Sequence, residues 1–484
     1  MSQGSDGPWE LPKGWEWAPF ADVARVASNL VSPFDYPDLP HIAPNHIESE
    51  TGRLLPFSTV AEDGVKSPKH LFTSGHILYS KIRPYLAKVV MVKFDGLCSA
   101  DMYPIATELD PGYLTLWLRS PAFTGLAAKH QGRSVLPKIN KEALAKLPVP
   151  VPPLAEQQRI VVALDEQLSR LSAGAQSLGG TMDKADALRR KVLARLTKAP
   201  GDSWTQYQLG DLAASVRNGM YVSRPGVEPD GVAILRIGAV RPLRLELTDL
   251  RYSAVEEQQV AEDGYLLEGG DLLFTRYNGN PAYVGACAVV PEGAGPLTYP
   301  DKLIRVQLRR DIADAEFVAM ACTGGSARQV IASAVKTTAG QAGIAGRDLK
   351  KVPISLPSLE EQRHRVRVYQ SWEAVIARLE TEVSKGQRRV GQLRRSLLAE
   401  AFAGRLVPQD PAEEPAEELL TRIRAEREAA GATTPRRRSP RRAPAQRKRA
   451  SDTALTSDAP PPPGADAPAF AAATQPTLDL EIPS

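Results

Sequence analysis

Leu147–Leu164 reads LPVPVPPLAEQQRIVVAL, and a related stretch, VPISLPSLEEQRHRVRVY, occupies Val352–Tyr369, 205 residues further along the chain. The two stretches align without a gap. Identical residues fall at Pro148 and Pro353, Pro152 and Pro357, Glu156 and Glu361, and Gln157 and Gln362. The same register places the run Leu188–Arg190 on Leu393–Arg395. An ungapped internal copy indicates a duplicated structural unit, and its period decides the architecture.

A long helix is predicted after each stretch. Ser358 with Glu361 three residues later forms a capping box, so the second helix should begin at Leu359; Pro153 and Glu156 hold the same places before the first. Apolar residues recur every seven positions in both predicted helices. In the second helix they are Tyr369, Ile376, Val383, Val390 and Leu397, with a second column at Trp372, Leu379, Gly386 and Leu393. In the first helix they are Leu164, Leu171, Leu178, Ala185 and Val192. This spacing is typical of a coiled coil.

Each predicted helix covers some 44 residues, which corresponds to a rod of roughly 65 Å. Glycines at 174, 179 and 180 weaken the first helix locally. The small side chains at Gly174 and Gly386 are also expected to let the helices approach closely. Generic core packing is the usual explanation of an apolar repeat, but the duplicated register and the lack of another partner segment favour pairing of the two helices.

Two globular regions, residues 14–146 and 200–351, precede the two stretches. In the first, β-type runs such as HILYSKI (76–82) and LAKVVMVKF (86–94) alternate with turn signals, and a helical segment follows at Gly112–His130. The second contains GDLLFTRY (270–277), which matches GHILYSKI (75–82) at an offset of 195 residues. The globular parts therefore diverge while the helices keep register, which indicates two mixed α/β domains on a duplicated helical scaffold.

Composition and termini place the chain in a broad class. Sixty Lys and Arg against 56 Asp and Glu leave a net charge of +4, which by itself indicates no partner. The cysteines, Cys98, Cys287 and Cys322, form no CxxC pair and fit small core residues in a reducing compartment. The start, MSQGSDGPWE, has no signal-peptide pattern, and no apolar run reaches the roughly 18 residues of a membrane span. We expect a soluble cytoplasmic protein with no membrane partner.

The two ends are expected to be less ordered than the middle. Residues 1–13 are predicted to be a flexible leader. Residues 407–430 contain a turn and a short amphipathic helix that carries Leu419, Leu420 and Ile423. Residues 431–484 form a predicted disordered, basic, Pro- and Ala-rich tail with eight basic side chains between Arg436 and Arg449. Such a tail either binds phosphates without sequence preference or only increases solubility, and the composition favours neither function.

The sequence offers no catalytic or metal site. No HExxH pair, Walker loop or G-x-S-x-G turn occurs, and no acidic cluster has metal-ligand spacing. Asn280–Tyr283 (NPAY) resembles the Asn-Pro-Pro-Tyr loop of adenine amino-methyltransferases, with Ala282 in place of the second proline. The glycine-rich loop such an enzyme needs for S-adenosylmethionine is missing upstream. We therefore interpret NPAY as a binding loop or structural turn and the chain as non-catalytic.

Side chains suited to nucleic acid gather in corresponding loops of the two domains. Arg and Lys suit phosphates and guanine edges, and Asn and Gln suit adenine. The first set is Lys81, Arg83, Arg133, Lys138 and Asn140; the second is Arg276, Asn278, Asn280, Lys336, Thr337, Thr338 and Gln341. Each residue taken singly is more simply a solvated surface residue. Their recurrence at equivalent places makes DNA binding an equally good interpretation.

Five stretches in order carry a resemblance to a known family. They are HILYSKIRPYLAKV, LPVPVPPLAEQQRIVVAL, GDLLFTRYNGNPAYVG, TTAGQAGIAGRDLKKVPISLPSLEEQ and AFAGRLVPQDPAEEPAEELLTRIRAER. Over about residues 13–430 the chain resembles the DNA-specificity subunit of type I restriction-modification systems. The Arg-rich tail lies outside the usual pattern of that family.

The resemblance implies a fold and a set of partners. It implies two target-recognition domains, each reading one half of a split site in double-stranded DNA, separated by two antiparallel helices that fix the distance between the half-sites. Two methyltransferase subunits would dock on the helices, and restriction/translocase subunits would complete the complex. This chain would bind no cofactor, and S-adenosylmethionine, ATP and magnesium would be held by the partner subunits.

The predicted fold class is therefore α+β, with two mixed α/β target-recognition domains, two long antiparallel helices forming a coiled coil, and a pseudo-two-fold internal repeat. The predicted segments are 1–13, 14–146, 147–199 (first spacer helix), 200–351, 352–406 (second spacer helix), 407–430 and 431–484. The four repeated pairs Pro148/Pro353, Pro152/Pro357, Glu156/Glu361 and Gln157/Gln362 are expected to set the geometry between domain and helix without touching DNA. Two alternatives stay open: an orphan coiled-coil scaffold without a restriction partner, and a self-sufficient methyltransferase.

Overall fold

The first domain is built on two four-stranded sheets. The computed structural model describes residues 7–130, 137–201, 203–222, 225–228, 231–338 and 341–433. The strands are β1 (Glu16–Pro19), β2 (Ala24–Val26), β3 (Leu30–Val31), β4 (His41–Ile42), β5 (Lys69–Phe72), β6 (Ile77–Ser80), β7 (Val89–Met91), β8 (Gly96–Cys98), β9 (Met102–Thr107) and β10 (Pro148–Val151). The helices are α1 (Phe20–Val23), α2 (Pro111–Arg119), α3 (Pro121–Lys129) and α4 (Lys141–Lys146). One sheet has the order β2-β9-β6-β7 and the other the order β3-β5-β8-β4.

The predicted runs HILYSKI and LAKVVMVKF contain β6 and β7. The helical segment predicted at Gly112–His130 is instead two helices, α2 and α3. Ser120 ends the first and caps the second, because its hydroxyl accepts a hydrogen bond of 3.1 Å from the backbone N–H of Phe123. Pro121 then occupies the first position of α3, where its missing N–H is not needed.

The proline-rich run before the first long helix is a strand. β10 pairs antiparallel with β1, so that Trp17 faces Pro150 and Pro19 faces Pro148. Such a two-stranded ribbon leaves one side of each strand unpaired, which is where proline is tolerated. The long helix α5 runs from Leu154 to Leu196. The segment predicted as a spacer helix from residue 147 therefore begins as part of the first domain.

The second domain repeats one sheet and replaces the other. Its strands are β11 (Thr205–Gln208), β12 (Ala213–Asn218), β13 (Val232–Ile234), β14 (Val240–Arg241), β15 (Arg244–Leu245), β16 (Arg251–Ser253), β17 (Leu272–Thr275), β18 (Tyr277–Asn278), β19 (Cys287–Val289), β20 (Leu297–Thr298), β21 (Leu303–Leu308), β22 (Lys336–Thr338), β23 (Gln341–Gly343) and β24 (Pro353–Leu356). Its helices are α6 (Leu209–Leu212), α7 (Glu257–Glu262), α8 (Ala315–Thr323), α9 (Gly325–Ser333) and α10 (Gly346–Leu349). The sheet β12-β21-β17-β19 and the pair β11-β24 correspond to β2-β9-β6-β7 and β1-β10. The sheets β16-β13-β20 and β18-β23-β22 follow a different order, as expected for domains of different content.

The second long helix, α11, spans Leu359–Phe402 and begins where the capping pattern predicts. The hydroxyl of Ser358 accepts a hydrogen bond of 3.3 Å from the backbone N–H of Glu361. α5 and α11 have 43 and 44 residues and run antiparallel. Arg394 contacts Ser172 and Glu373 contacts Arg189, so later residues of α5 meet earlier residues of α11. The pseudo-two-fold helix pair predicted from the repeat is confirmed.

The seam between the helices is narrower than the heptads predict. Tyr369, Ile376 and Val383 are buried, but the second column is exposed at Trp372, Leu379 and Leu393. Gly386 does allow close approach, since a Cβ there would lie 3.1 Å from Leu178, whereas Gly174 faces open space. The expectation for Gly174 is therefore wrong. Each helix buries one apolar row against its partner, because a second row would need a third element to cover it.

Two segments outside the predicted first domain, residues 9–11 and 419–423, pack on its core. The indole of Trp9 lies 4.9 Å from that of Trp17, whose Nε1 donates a 3.0 Å hydrogen bond to the Trp9 carbonyl. Leu11 also packs against the core, so the predicted flexible leader is wrong for residues 7–13. Helix α12 (Ala416–Thr433) buries the predicted apolar side chains of Leu419, Leu420 and Ile423 in the same core. Residues 431–433, predicted as tail, continue this helix, and the rest of the predicted tail lies outside the described residues.

Two smaller expectations concern the core and the membrane. The cysteines at 98, 287 and 322 are free and buried, as predicted. Within the described residues, every helix is too short or too polar to cross a lipid bilayer.

Candidate nucleic-acid interface

The fold brings most of the first predicted set together at one edge of the first domain. Ile82 and Lys138 form a β-bridge, the N–H of Ile139 donates to the Lys81 carbonyl over 3.0 Å, and the N–H of Arg83 donates to Pro137 over 2.8 Å. These bonds fix residues 81–83 beside residues 137–139. Segments separated by more than fifty residues in the chain thus present their basic side chains at one place.

An acidic residue that the sequence did not single out lies between these lysines. The Lys138 ammonium is 2.8 Å from Oδ1 of Asp101, and the Lys81 ammonium is 4.0 Å from the same atom. Lys81 also lies 5.3 Å from the centre of the Tyr103 ring. Burial lowers the pKa of Lys81, and the Asp101 carboxylate opposes that effect. Both lysines therefore have an intramolecular partner that a DNA phosphate would have to replace.

The remaining members of the first set differ in availability. Arg83 is exposed and adopts a left-handed backbone conformation with φ of 47°. Asn140 caps α4, because its Oδ1 accepts a 2.7 Å hydrogen bond from the N–H of Ala143. Only the amide NH₂ of Asn140 is left for a ligand. Arg133 lies outside the described residues.

The second predicted set shares one small sheet. β23 pairs with both β18 and β22, which places Asn278 opposite Ala342 and Lys336 opposite Gly343. The β22–β23 pair also places Thr338 beside Gln341. The side chains of Lys336, Thr337 and Gln341 are exposed. This sheet is three-stranded, but at Thr338 and Gln341 it is only two strands wide, and a two-stranded ribbon is narrow enough to enter a major groove.

Three members of the second set are engaged within the domain. Oδ1 of Asn278 accepts a 2.9 Å hydrogen bond from the N–H of Asn280. The Arg276 guanidinium donates from Nη1 to the Asp301 carbonyl over 3.2 Å and lies 4.7 Å from the Tyr277 ring centre. Asn280 caps the turn Pro281–Tyr283 by accepting a 3.0 Å hydrogen bond from the N–H of Ala282. This geometry supports the structural-turn interpretation of NPAY over a methyltransferase loop.

The structure adds residues that the sequence did not single out. Asp101 and Asp301 lie just before corresponding strands, β9 and β21, and each contacts the basic residue that follows the central strand. Lys141 lies 5.9 Å from the Tyr103 ring and extends the first set. An aspartate just before β9 and another just before β21 is a repeated feature of the sequence, and it could have identified Asp101 and Asp301. It was missed because its partner is remote in sequence.

The repeated glutamines join each domain to its helix by the same hydrogen bonds. Oε1 of Gln157 accepts from the N–H of Asp110 over 2.9 Å, and its Nε2 donates to the Pro152 carbonyl over 3.0 Å. Oε1 of Gln362 likewise accepts from the N–H of Asp314 over 2.8 Å. Its Nε2 donates to the carbonyls of Pro357 (2.9 Å) and Ile312 (3.0 Å). Both side chains are fully buried.

These glutamines contact equivalent residues of the two domains. Asp110 and Asp314 are the N-caps of α2 and α8, the first helices after the main sheets. Each long helix therefore holds the start of one domain helix.

The repeated glutamates, in contrast, have different surroundings. Oε2 of Glu156 accepts a 2.9 Å hydrogen bond from Trp15 in the interior, and burial raises the pKa of this carboxyl although the Trp15 bond opposes the shift. Glu361 is half-buried and pairs with Arg365 over 2.7 Å. Arg365 in turn lies 4.6 Å from the Trp204 ring, the counterpart of Trp15. The repeated prolines lie outside the long helices. Pro148 and Pro353 are the first residues of β10 and β24, and Pro152 and Pro357 lie between these strands and the helices.

The two domains sit at opposite ends of the helix pair. The first core includes Leu164 of α5 and Phe402 of α11. The second includes Leu193 of α5 and Tyr369 of α11. At 1.5 Å per residue, the stretch of α5 from Leu164 to Leu193 separates the two cores by about 44 Å. The two candidate interfaces are thus held apart by a helical spacer.

A family comparison agrees with this architecture. The family described as "Type I restriction modification DNA specificity domain" matches residues 12–174 and 201–384. The chain belongs to this family. Each matched range holds one domain and part of the long helix that follows it, so this specificity subunit contains the family domain twice.

Curated relatives lead to the same family, and a solved structure shares the fold. This chain is 30% identical over 461 residues to the EcoKI specificity subunit of Escherichia coli strain K12. The match covers 87% of this chain and 97% of that relative. A 45% identical match to the EcoDI specificity subunit of Escherichia coli spans 185 residues, which is 38% of this chain and 42% of that relative. A solved chain from a type I restriction-modification system superposes with a TM-score of 0.65 at 20% identity, over 82% of this chain and all of its own length.

Proposed function

We propose that this chain is the non-catalytic, sequence-specific DNA-binding subunit of a cytoplasmic type I restriction-modification complex. Each domain reads one half of a split, asymmetric site in double-stranded DNA, and the helix pair sets the unread spacer between the halves. The observation that carries the proposal is the placement of two unlike domains at opposite ends of one antiparallel helix pair. Identical domains would read identical half-sites. These two domains share one four-stranded sheet but differ in their other sheets, which favours an asymmetric site.

The helices also offer a surface for partner subunits. Trp372, Val375 and Leu379 follow one face of α11 at spacings of three and four residues and are 43%, 60% and 40% exposed. Exposed apolar rows of this kind are typical of protein interfaces. We infer that two methyltransferase subunits dock on the helices and that restriction/translocase subunits join them. S-adenosylmethionine, ATP and magnesium are then held by these partners.

The complex with methyltransferase subunits is the form in which to test this function. Binding to a duplex with both half-sites should exceed binding to a scrambled duplex by a factor of at least about 10³. Equal binding to both duplexes would instead indicate an orphan scaffold without sequence recognition. Binding of S-adenosylmethionine by the isolated chain would contradict the non-catalytic assignment.

Lys336→Ala and Gln341→Ala in the second domain should each weaken recognition of only one half-site. Both side chains are exposed on the β22–β23 hairpin, and a lost base contact costs about 1–3 kcal/mol. Sequencing of methylated bases first identifies the two half-sites. Competition binding with duplexes scrambled in one half or the other then measures each loss separately.

Lys138→Ala is the matched control in the first domain, because it removes a basic side chain at the corresponding edge. It should affect the opposite half-site. A uniform loss at both half-sites for either variant would contradict the assignment of one domain to one half-site.

A further inference from the structure

A cavity of about 360 Å³ lies where the first domain meets both long helices. α2 contributes Arg119, α5 contributes Ser172, and α11 contributes Arg394. Polar side chains of Thr51, Ser169 and Gln176 also line it. The volume is in the range of sites for small molecules, about 300–1,000 Å³.

The two arginines of this cavity lack the partners that buried cations usually have. Arg394 is only 8% exposed, and its one hydrogen bond to a described residue is a long one, 3.2 Å from Nη2 to the Ser172 hydroxyl. Arg119 donates from Nε to the Val89 carbonyl over 3.0 Å. Among the described residues, no carboxylate oxygen lies within 4.0 Å of a nitrogen of either side chain. A buried charge without a partner is costly, so this arrangement favours an anion from outside.

The pseudo-two-fold repeat provides an internal comparison for Arg394. Its counterpart is Arg189, which contacts Asp186 (2.8 Å), Glu373 (3.0 Å) and Glu380 (2.8 Å). Shifted by the repeat, the positions of these three carboxylates are Gly391, Leu168 and Ala175. Arg189 therefore has three carboxylate partners, whereas uncharged residues occupy the three equivalent positions around Arg394.

Arg119 is also specific to this end of the molecule. It is the last residue of the nine-residue helix α2, and the last residue of the corresponding nine-residue helix α8 is Thr323. Burial, and then the charge of Arg394, lowers the pKa of Arg119 to about 10, although the carboxylate of Asp165 opposes the shift. The two guanidiniums carry like charges and repel each other. A shared anion would relieve that repulsion.

The geometry points to a binding site for the phosphate group of a small molecule, held between Arg119 and Arg394. A phosphate dianion matches two cations, and guanidinium groups bind its oxygens in pairs. The hydroxyl of Ser172 is placed to donate a further hydrogen bond. The lining carboxylates, Glu50 and Asp165, belong to exposed residues, and their negative charges disfavour a polyanion such as duplex DNA.

Such a ligand would tie three elements together. It would contact α2 of the first domain, α5 and α11, so its binding should stabilise the joint at the first domain and leave the joint at the second unaffected. The site is distinct from the proposed DNA-reading edge around Lys81 and Lys138.

Calorimetric titration of the full-length chain with inorganic phosphate, and separately with AMP, tests this site at constant ionic strength against chloride. We expect saturable binding by the wild type. For R394M and for R119M the dissociation constant should be at least tenfold larger. R189M, at the repeat-related position, should bind as the wild type does. R119M keeps the test decisive if R394M does not fold, because Arg119 is partly exposed.

Three outcomes would overturn the proposal. They are a lack of saturable phosphate binding, equal binding by the arginine variants of the cavity and the wild type, and equal weakening by R189M. Displacement of bound phosphate by a short duplex would assign the cavity to DNA, and the proposed small-molecule site would then be wrong.

Discussion

Deletion of residues 175–181 together with 383–389 should shorten the unread spacer of the recognition site by up to about 3 base pairs without changing either half-site. Seven residues per helix shorten the rod by about 10 Å, which is close to 3 steps of about 3.4 Å along DNA. The deleted ranges face each other across the antiparallel pair, around the contact of Leu178 with Gly386. The contacts Arg394–Ser172 and Arg189–Glu373 lie on either side and are retained. Sequencing of methylated bases in a host that carries the variant and its methyltransferase partner measures the spacer.

Deletion of 175–181 alone is the control for this prediction. It leaves the helices seven residues out of register, so the contacts at the two ends cannot form together, and methylation should be lost. Unchanged spacing in the double deletion would contradict the role of the helices as a spacer. A change in the bases of a half-site would contradict the independence of the two domains.

Gln362→Leu should destabilise the second domain by about 2–4 kcal/mol, since it leaves the N–H of Asp314 and the carbonyls of Ile312 and Pro357 without their buried partner. Gln157→Leu should act in the same way on the first domain, where two backbone groups lose a partner. Urea unfolding measures the loss in free energy of unfolding. Hydrogen exchange at the starts of α2 and α8 shows which domain is loosened.

Gln158→Leu is the matched control, because Gln158 is the exposed neighbour of Gln157 on the same helix. Its effect should stay within about 0.5 kcal/mol. Equal destabilisation by all three variants would mean that the glutamines act only through helix propensity. Faster exchange in both domains for one variant would contradict a local joint.

Particular residues show what could be predicted from the sequence. The ungapped repeat predicted two long helices, and the Ser358 pattern predicted that α11 starts at Leu359, because capping depends only on residues within one turn. The repeated glutamines were singled out as joint residues by their register alone. Their partners, Asp110 and Asp314, were not predicted, since they lie 47 and 48 residues away and meet the glutamines only in the folded chain.

Predictions that depended on contacts between segments distant in the sequence were less successful. Trp9 was placed in a flexible leader, but the indoles of Trp17 and Trp117 surround it. The column at Trp372 was placed in the helix seam, although α5 covers only one row of α11. Asp101 was overlooked because its pairing with Lys138 depends on the bridge between residues 82 and 138.

The sequence by itself determined the period, the helix starts, the helix lengths and the family of this specificity subunit, because these depend on local pattern and on repetition along the chain. Only the tertiary structure decided that PVPV (148–151) is a strand of the first domain, that the duplicated glutamines hold the N-caps of α2 and α8, and that Arg189 is paired with carboxylates while Arg394 is not. Each of these depends on which side chains meet across the antiparallel helices and the sheet edges. A pattern along one segment cannot specify the charge or the hydrogen-bond partner that another segment brings.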